Sequence, residues 1–243
     1  MNDTRGVVCP QLTYPKEKMK SQEELKELHG EKYVESFGSL LPVRLKGILK
    51  YMPMDCNYNV ADFACGNGML MEFIAPIVNS YIGIDFSPPF IKAANEKREQ
   101  LSVKNAQFVC ADINEFCQRH EKTFDVGFAM DFSEHVYDKE WVEILGHIRR
   151  SIKPNGKLYL HTPNADFFLE RMKSKNFIAK QFPAHIAVRT PEHNVSMIRQ
   201  AGFRLTQVRL IPHYNILRLV HPLSHIPIFG KFFSARIFIE ATA

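Results

Sequence analysis

The sequence predicts an α/β fold in which a parallel sheet is covered by helices on both faces. Two observations lead to it. From about residue 58, short β-branched or aromatic runs alternate with helical segments, and strands joined through helices lie parallel and buried on both sides. The first of these runs passes directly into a turn of very small residues, Ala64 to Gly68, and open parallel sheets bind ligands at such strand-to-helix turns. The 243 residues suffice for one large domain whose core stands without disulfides.

The elements follow in order. Residues 16–51 are expected to be helical: Tyr33, Phe37, Leu40, Leu41, Leu45, Ile48 and Leu49 recur at helix-like intervals, and Pro42 divides the region. This makes residues 1–54 an N-terminal helical cap and 55–243 the main domain, with an insert at about 164–190. Strands are expected at NVADFA, SYIGID, AQFVCAD, FDVGFAM and GKLYLHT. Between the last two, Trp141, Ile144, Leu145, Ile148 and Ile152 form the apolar stripe of a helix over 138–152. Asp138 is placed to cap it, and the turn Lys153 to Gly156 to stop it. A second helix spans 191–201, with Thr190 as N-cap, Pro191 in the first turn and Gly202 past the end. FRLTQVRL (203–210) and SARIFIEATA (234–243) read as two closing strands. The connector between them, about 211–233, holds Pro212, Pro222, Pro227 and Gly230 and no comparable helical pattern. A long irregular connector is often functional.

Composition narrows the class. Hydrophobic residues make up 45% and charged residues 23%, globular proportions that exclude a disordered or collagen-like chain. Five cysteines without a C-x-x-C pair suggest neither a disulfide framework nor a structural zinc site. No run nears the ~18 apolar residues of a membrane span, and no apolar leader opens the sequence, so a cytoplasmic address is expected. The net charge of +5 gives only weak encouragement to anionic partners.

The densest signal is VADFACGNGML, residues 60–70. Asp62 precedes Ala64, Cys65, Gly66, Asn67 and Gly68, whose small side chains let a ligand approach the backbone; an ordinary tight turn is the alternative. The second strand ends at Asp85, about twenty residues on, where a carboxylate can accept hydrogen bonds from both ribose hydroxyls of an adenosine. The third ends near Asp112, which can accept from an exocyclic amine or simply cap a helix; Ile113 can pack on a base.

These segments, with YIGIDFS, FVCADI, FDVGFAMDFSEHV and KPNGKLYLHTPN, resemble the class I S-adenosylmethionine-dependent methyltransferases over about residues 55–210. The nearest likeness is to the small-molecule, ubiquinone-type O-methyltransferase branch. The resemblance implies a Rossmann-like, seven-stranded, mostly parallel sheet whose last strand is antiparallel. It implies that Asp62, Ala64, Cys65, Gly66 and Gly68 cradle the methionine part of S-adenosylmethionine, with Ala64 in place of the family's first glycine. Asp85 takes the ribose, Phe86 lies beside the adenine, Asp112 and Ile113 lie at its edge, and Met130 lies near the transferable methyl. A dinucleotide oxidoreductase is disfavoured, because bulky Met71 occupies the third glycine slot.

Methyl transfer from a sulfonium is an in-line displacement, so alignment and exclusion of water matter most; a hydroxyl acceptor also needs a base. His135, His161 and His185 are the candidate catalytic residues. Asp131, Glu134 and His135 are spaced i, i+3, i+4, which on a helix shares one face and could hold a divalent metal. Asn164 is expected to face the acceptor. Tyr33 or Phe37 can pack over the cofactor, and Arg44 can pair with its carboxylate. His213, His221 and His225 read as structural or surface groups. The connector reads as a wall of an apolar acceptor pocket in preference to a membrane contact. The expected activity is methylation of a small, partly apolar molecule at a hydroxyl. Nitrogen or carboxylate methylation and a non-catalytic cofactor-fold module are the alternatives. RNA as substrate lacks a basic stripe with interleaved aromatics. The residues do not specify an oligomeric state.

Overall fold

A computed structural model of the chain describes residues 43–174, 185–213, 216–226 and 229–243. Tyr33 and Phe37 lie outside the described residues, as does the side chain of Arg44. Of the expected cap, the described part is helix α1 (Val43–Leu49). Its Leu45 and Ile48 are buried against Val60, Met71, Phe128 and Phe238.

Seven strands form one sheet: β1 (Asn59–Phe63), β2 (Ser80–Asp85), β3 (Ala106–Cys110), β4 (Phe124–Met130), β5 (Ile152–Pro163), β6 (Arg204–Ile211) and β7 (Arg236–Thr242). Their order is β3-β2-β1-β4-β5-β7-β6. The first five strands pair in parallel. β7 lies antiparallel between β5 and β6, so the last strand is the reversed one, as expected. The helices are α2 (Met71–Ile74), α3 (Pro88–Gln100), α4 (Ile113–Arg119), α5 (Asp138–Ser151), α6 (Phe168–Ser174) and α7 (Pro191–Gln200).

Strand side chains alternate between two cores. Ala61, Phe63, Ala129, Leu158, Leu160, Ile237 and Ile239 pack with Trp141, Leu145 and Ile148 of α5 and Met197 and Ile198 of α7. Their neighbours Val60, Phe128, Tyr159 and Phe238 face the opposite layer, with Ile48, Met71, Ile74 and Ala94 of α1, α2 and α3. Every central strand is therefore apolar on both sides, which is why these strands read as continuous apolar runs.

The helix after the small-residue turn, α2, is four residues long and is followed by a 3-10 turn at Ala75–Ile77. Pro76 cannot continue an α-helix, since it lacks an N–H and its ring crowds the preceding turn. Two local expectations need correction. The KPNG segment does not stop α5. That helix ends at Ser151, and Ile152 already pairs with Phe124; the register then jumps to Val126 opposite Lys157. The intervening residues bulge out of β5, with Asn155 in the left-handed region at φ 66°, a conformation asparagine tolerates better than most residues. Asp138 does not cap α5, because Tyr137 holds the N-cap position with no side-chain hydrogen bond. The connector also carries 3-10 turns at Ile216–His225 and Gly230–Phe233. Thr190 does cap α7, its hydroxyl accepting from the His193 N–H at 3.2 Å.

The turn after β1 is left-handed at Ala64 (φ 59°), Gly66 (φ 53°) and Gly68 (φ 70°). At Gly68 a Cβ would sit 2.7 Å from the Phe108 ring. Gly68→Ala is therefore expected to lower stability by about 1–3 kcal/mol, a melting-point drop of several degrees. Ala64→Gly removes a left-handed alanine but loosens the unfolded chain, so it should stay within about 1 kcal/mol of the parent. Thermal melts of the two variants check both statements; an unchanged Gly68→Ala melt would contradict the close approach.

Candidate active site

The parallel strands β1, β2 and β3 end side by side, with Phe63 opposite Ile84 and Asp85 opposite Cys110. Their carboxyl ends carry the small-residue turn and the three acids. Asp85 is 5% exposed. One of its oxygens accepts from the Gly66 N–H at 3.0 Å and the other from the Ser87 N–H at 2.9 Å. It thereby ties the turn after β1 to the start of α3. The Cys65 N–H reaches Ile84 O at 3.0 Å across the same gap. Asp62, 2% exposed, accepts from the Tyr81 hydroxyl. Burial lifts the Asp62 carboxyl to about 7, with the Asp85 charge adding to the rise and the Tyr81 bond opposing it. Asp112 caps α4, its Oδ1 accepting from the N–H groups of Asn114 and Glu115. Ile113 is buried beside it, whereas Phe86 is 41% exposed. Cys65 is buried, and burial, with Asp62 and Asp85 nearby, holds its thiol neutral.

These residues fit an adenosyl-methionine ligand. Left-handed backbone at Ala64, Gly66 and Gly68 leaves the turn open above Asp85. Within it, Asn67 Oδ1 is buried and accepts no hydrogen bond among the described residues, an acceptor suited to an ammonium group.

A second group of polar side chains lies past the ends of β4 and β5. Met130 ends β4 opposite His161 of β5. Asp131 follows in the left-handed region at φ 52°, and its Oδ1 meets His161 Nδ1 at 2.9 Å and Arg236 Nη1 at 2.7 Å. His161 is only 1% exposed; it is a buried partner of Asp131. The 3-10 turn Ser133–His135 comes next. The Ser133 hydroxyl donates to Thr162 Oγ1 at 2.9 Å, which donates to Glu134 Oε2 at 3.0 Å. Glu134 is buried at 1% exposure. Burial, then the Asp131 charge, holds its carboxyl well above the usual carboxylate range.

The segment before α7 closes over this turn. The Ala187 N–H donates to Glu134 O at 3.0 Å. Arg189, 1% exposed, donates to the carbonyls of Ser133 and Val136 and, through Nε, to Asp138 at 2.8 Å. Burial opposes ionisation of Asp138, but His193 and Arg189 outweigh it and its pKa is lowered. This pairing is what Asp138 does in place of capping. It also brings His185 edge-on to His135, with ring centroids 5.1 Å apart. Burial, then the Arg236 charge, lowers His185 to about 4, so its imidazole is neutral at pH 7.

The structure thus brings His135 and His185 together with Glu134, one ligand atom from each lying within 4.8 Å of the others. The expected metal set of Asp131, Glu134 and His135 changes membership. The turn is 3-10 and Asp131 faces Arg236 and His161, so His185 stands in the cluster instead. Asn164 does not face an acceptor. It is wholly buried, and its side-chain amide donates to Lys231 O at 3.0 Å and Ser234 O at 2.8 Å. Sequence reasoning missed Arg189, Arg236, Thr162 and Tyr81. Their partners lie 19 to 105 positions away; the sole local hint was an arginine in a segment of few charges.

Known proteins resemble this chain in sequence and in fold. Residues 55–208 match the family model described as "Methyltransferase domain". A ubiquinone biosynthesis O-methyltransferase from Coxiella burnetii is 29% identical over 189 residues, 75% of this chain and 78% of that protein. The enzyme of the same name from Acinetobacter baylyi is 26% identical over 183 residues, 72% of this chain and 75% of that one. Among solved structures, a SAM-dependent methyltransferase from Archaeoglobus fulgidus superposes with a TM-score of 0.64 at 18% identity, covering 90% of this chain and 97% of its own.

The buried carboxyl of Asp62 has a measurable consequence. Its pKa is raised from 3.8 to about 7 on folding, so the folded state holds the proton more tightly than the unfolded chain. The stabilisation is complete below the unfolded pKa and fades as pH climbs through the folded one. Asp62→Asn removes that dependence. Its stability relative to the parent should rise by about 1–4 kcal/mol from acid to neutral pH, read by denaturant melts across the range; a pH-independent difference would contradict the shift.

Proposed function

The chain belongs to the methyltransferase-domain family and is an S-adenosylmethionine-dependent methyltransferase, and from that premise we propose that it methylates a small, partly apolar molecule at a hydroxyl oxygen. The observation that supports oxygen as the acceptor is the cluster of Glu134, His135 and His185 just past Met130. A hydroxyl must lose its proton as it attacks, and an imidazole held neutral beside the reacting oxygen, as His185 is, can take it. The names of the Coxiella and Acinetobacter relatives point the same way.

S-adenosylmethionine supplies an electrophilic methyl whose C–S bond breaks as the new O–C bond forms. Asp85 accepts from the ribose hydroxyls while keeping its bonds to Gly66 and Ser87. Phe86 covers one face of the adenine, and Asp112 and Ile113 lie at its edge. Gly66, Asn67 and Gly68 hold the methionine end over Asp62, Ala64 and Cys65. One imidazole of the pair receives the acceptor proton, His185 being the one that burial keeps neutral, with His135 edge-on beside it. His161 acts through Asp131 as a positioning residue, since it is too buried to meet a substrate.

A second reading of the same cluster has its own support. One carboxylate and two imidazoles suit a divalent transition metal, which would lower the pKa of a bound hydroxyl. Glu134, His135 and His185 would hold it, and the carboxyl of Glu134 would lose its proton on binding.

The test is transfer of labelled methyl from S-adenosylmethionine to a panel of phenols, quinols, amines and carboxylates. O-methylated product is expected; product from amines or carboxylates alone would overturn the hydroxyl assignment. His185→Gln should lower kcat by about a hundredfold while cofactor affinity holds. Loss of activity to a chelator, restored by a divalent metal, would favour the metal reading over direct proton acceptance. Asp85→Asn should weaken S-adenosylhomocysteine binding by about 1–3 kcal/mol in a calorimeter; unchanged affinity would refute the ribose role.

A further inference from the structure

The expected apolar wall does not come from Leu219 or Phe229 of the connector, which are 73% and 58% exposed. The region past the ends of β4 and β5 presents a cation instead. Two arginines lie there, and they are used in opposite ways. Arg189, 1% exposed, places Nε, Nη1 and Nη2 on three acceptors of the protein, and so holds the 133–136 turn. Arg236, its side chain 14% exposed, gives one nitrogen, Nη1, to Asp131 Oδ1 at 2.7 Å. Among the described residues its Nε and Nη2 meet no acceptor. Those two nitrogens form one edge of the planar guanidinium, an edge that can take a carboxylate in two parallel hydrogen bonds.

The sheet fixes where Arg236 stands. It opens β7 opposite Pro163, two positions beyond His161, and His161 pairs with Met130 at the end of β4. Two strand positions are about 6.6 Å, so the backbone of Arg236 lies about one aromatic ring farther out than that of Met130. Its charge also reaches the cluster just past Met130. It opposes the rise of the Glu134 carboxyl and adds to the lowering of His185.

Asp131 does not use up this cation. Its Oδ1 is shared with His161 Nδ1 at 2.9 Å, and it engages Arg236 at one nitrogen only. Asp131 thereby steadies the guanidinium and leaves the other edge open. Unmet donors on a largely buried guanidinium are costly, and an acceptor on a ligand removes that cost. A phosphate would call for further cations. Lys173, the other cation whose charge reaches His185, is held by Glu170 at 2.7 Å, which favours a carboxylate as the anion.

We propose that Arg236 binds, through Nε and Nη2, a carboxylate carried by the methyl acceptor, which is then an anionic hydroxy acid with its hydroxyl placed at the methyl group. The inference rests on the hydroxyl reading given above and adds to it the charge of the acceptor and the side chain that orients it. Arg236 is a binding residue and takes no part in the proton transfer.

The test uses the full chain and matched acceptors, dihydroxybenzoates beside the corresponding carboxamides, which keep the shape and lose the charge. Calorimetry reads their binding to the S-adenosylhomocysteine complex, and labelled methyl transfer is followed in parallel. The parent should favour the carboxylates by at least about tenfold in both affinity and kcat/KM, with the ether as product. R236Q should bring that ratio close to one. R236K should keep part of it, since lysine retains the charge but not the fork. An unchanged thermal shift with S-adenosylhomocysteine shows that the variants fold. Equal binding of carboxylate and carboxamide by the parent would overturn the proposal, as would a ratio unchanged in R236Q or a loss in R236Q shared equally by both members of a pair. Formation of the methyl ester would overturn it too, because the carboxylate would then sit at the methyl group. Ether formed equally well from the carboxamides would sink the carboxylate site and leave the hydroxyl reading intact. A carboxylate preference in binding that R236Q abolishes, without transfer to any hydroxyl, would uphold the site and fault the hydroxyl reading instead.

Discussion

One carboxylate organises the carboxyl ends of β1 and β2. Asp85 leaves the end of β2 and accepts backbone N–H groups from both sides, Gly66 from the turn after β1 and Ser87 before α3. A buried charge is costly unless hydrogen-bonded, and two backbone donors compensate this one. The same bonds hold the turn in the left-handed geometry that keeps its backbone open to a ligand. Parallel pairing makes this possible, since β1 and β2 can deliver their carboxyl ends to one place only when they run in the same direction.

The region past the ends of β4 and β5 follows a different rule. There the polar groups come from all over the chain: Asp131 and Glu134 after β4, His161 and Thr162 on β5, His185 and Arg189 before α7, and Arg236 on the reversed strand β7. Arg189 is the element that orders them. Wholly buried, it spends its donors on two carbonyls of the 133–136 segment and on Asp138, so the turn that carries Glu134 and His135 cannot shift without leaving a buried guanidinium unpaired. The left-handed backbone at Asp131 is a local cost of aiming its carboxylate at Arg236, and such strain is typical of functional sites.

The protein also separates its charges along the chain. The chain up to Glu192 is close to neutral, and the C-terminal part carries the positive excess. The acids at the strand tips accept backbone N–H groups that the turns leave unpaired, Asp85 from Gly66 and Ser87 and Asp112 from Asn114 and Glu115.

Much of the fold was legible in the residues themselves. Alternation of strands and helices from residue 58, Thr190 before Pro191, and the two closing strands all report local preferences, and local preferences are written in adjacent positions. The small-residue turn and the acid about twenty positions later were legible for the same reason, since the first βα unit places them next to each other whatever the rest does. Where sequence reasoning failed, a distant partner decided. Asp138 reads as a cap until Arg189 and His193 take its carboxylate. Asn164 reads as a pocket residue until the connector claims its amide. Asp131 reads as one ligand among three until β7 brings Arg236 beside it. The sequence by itself determined the layers, the strand ends and the chemistry available at them. Only the tertiary structure decided which buried polar group meets which, because that pairing depends on segments far apart in the chain that have no common pattern until the sheet has closed.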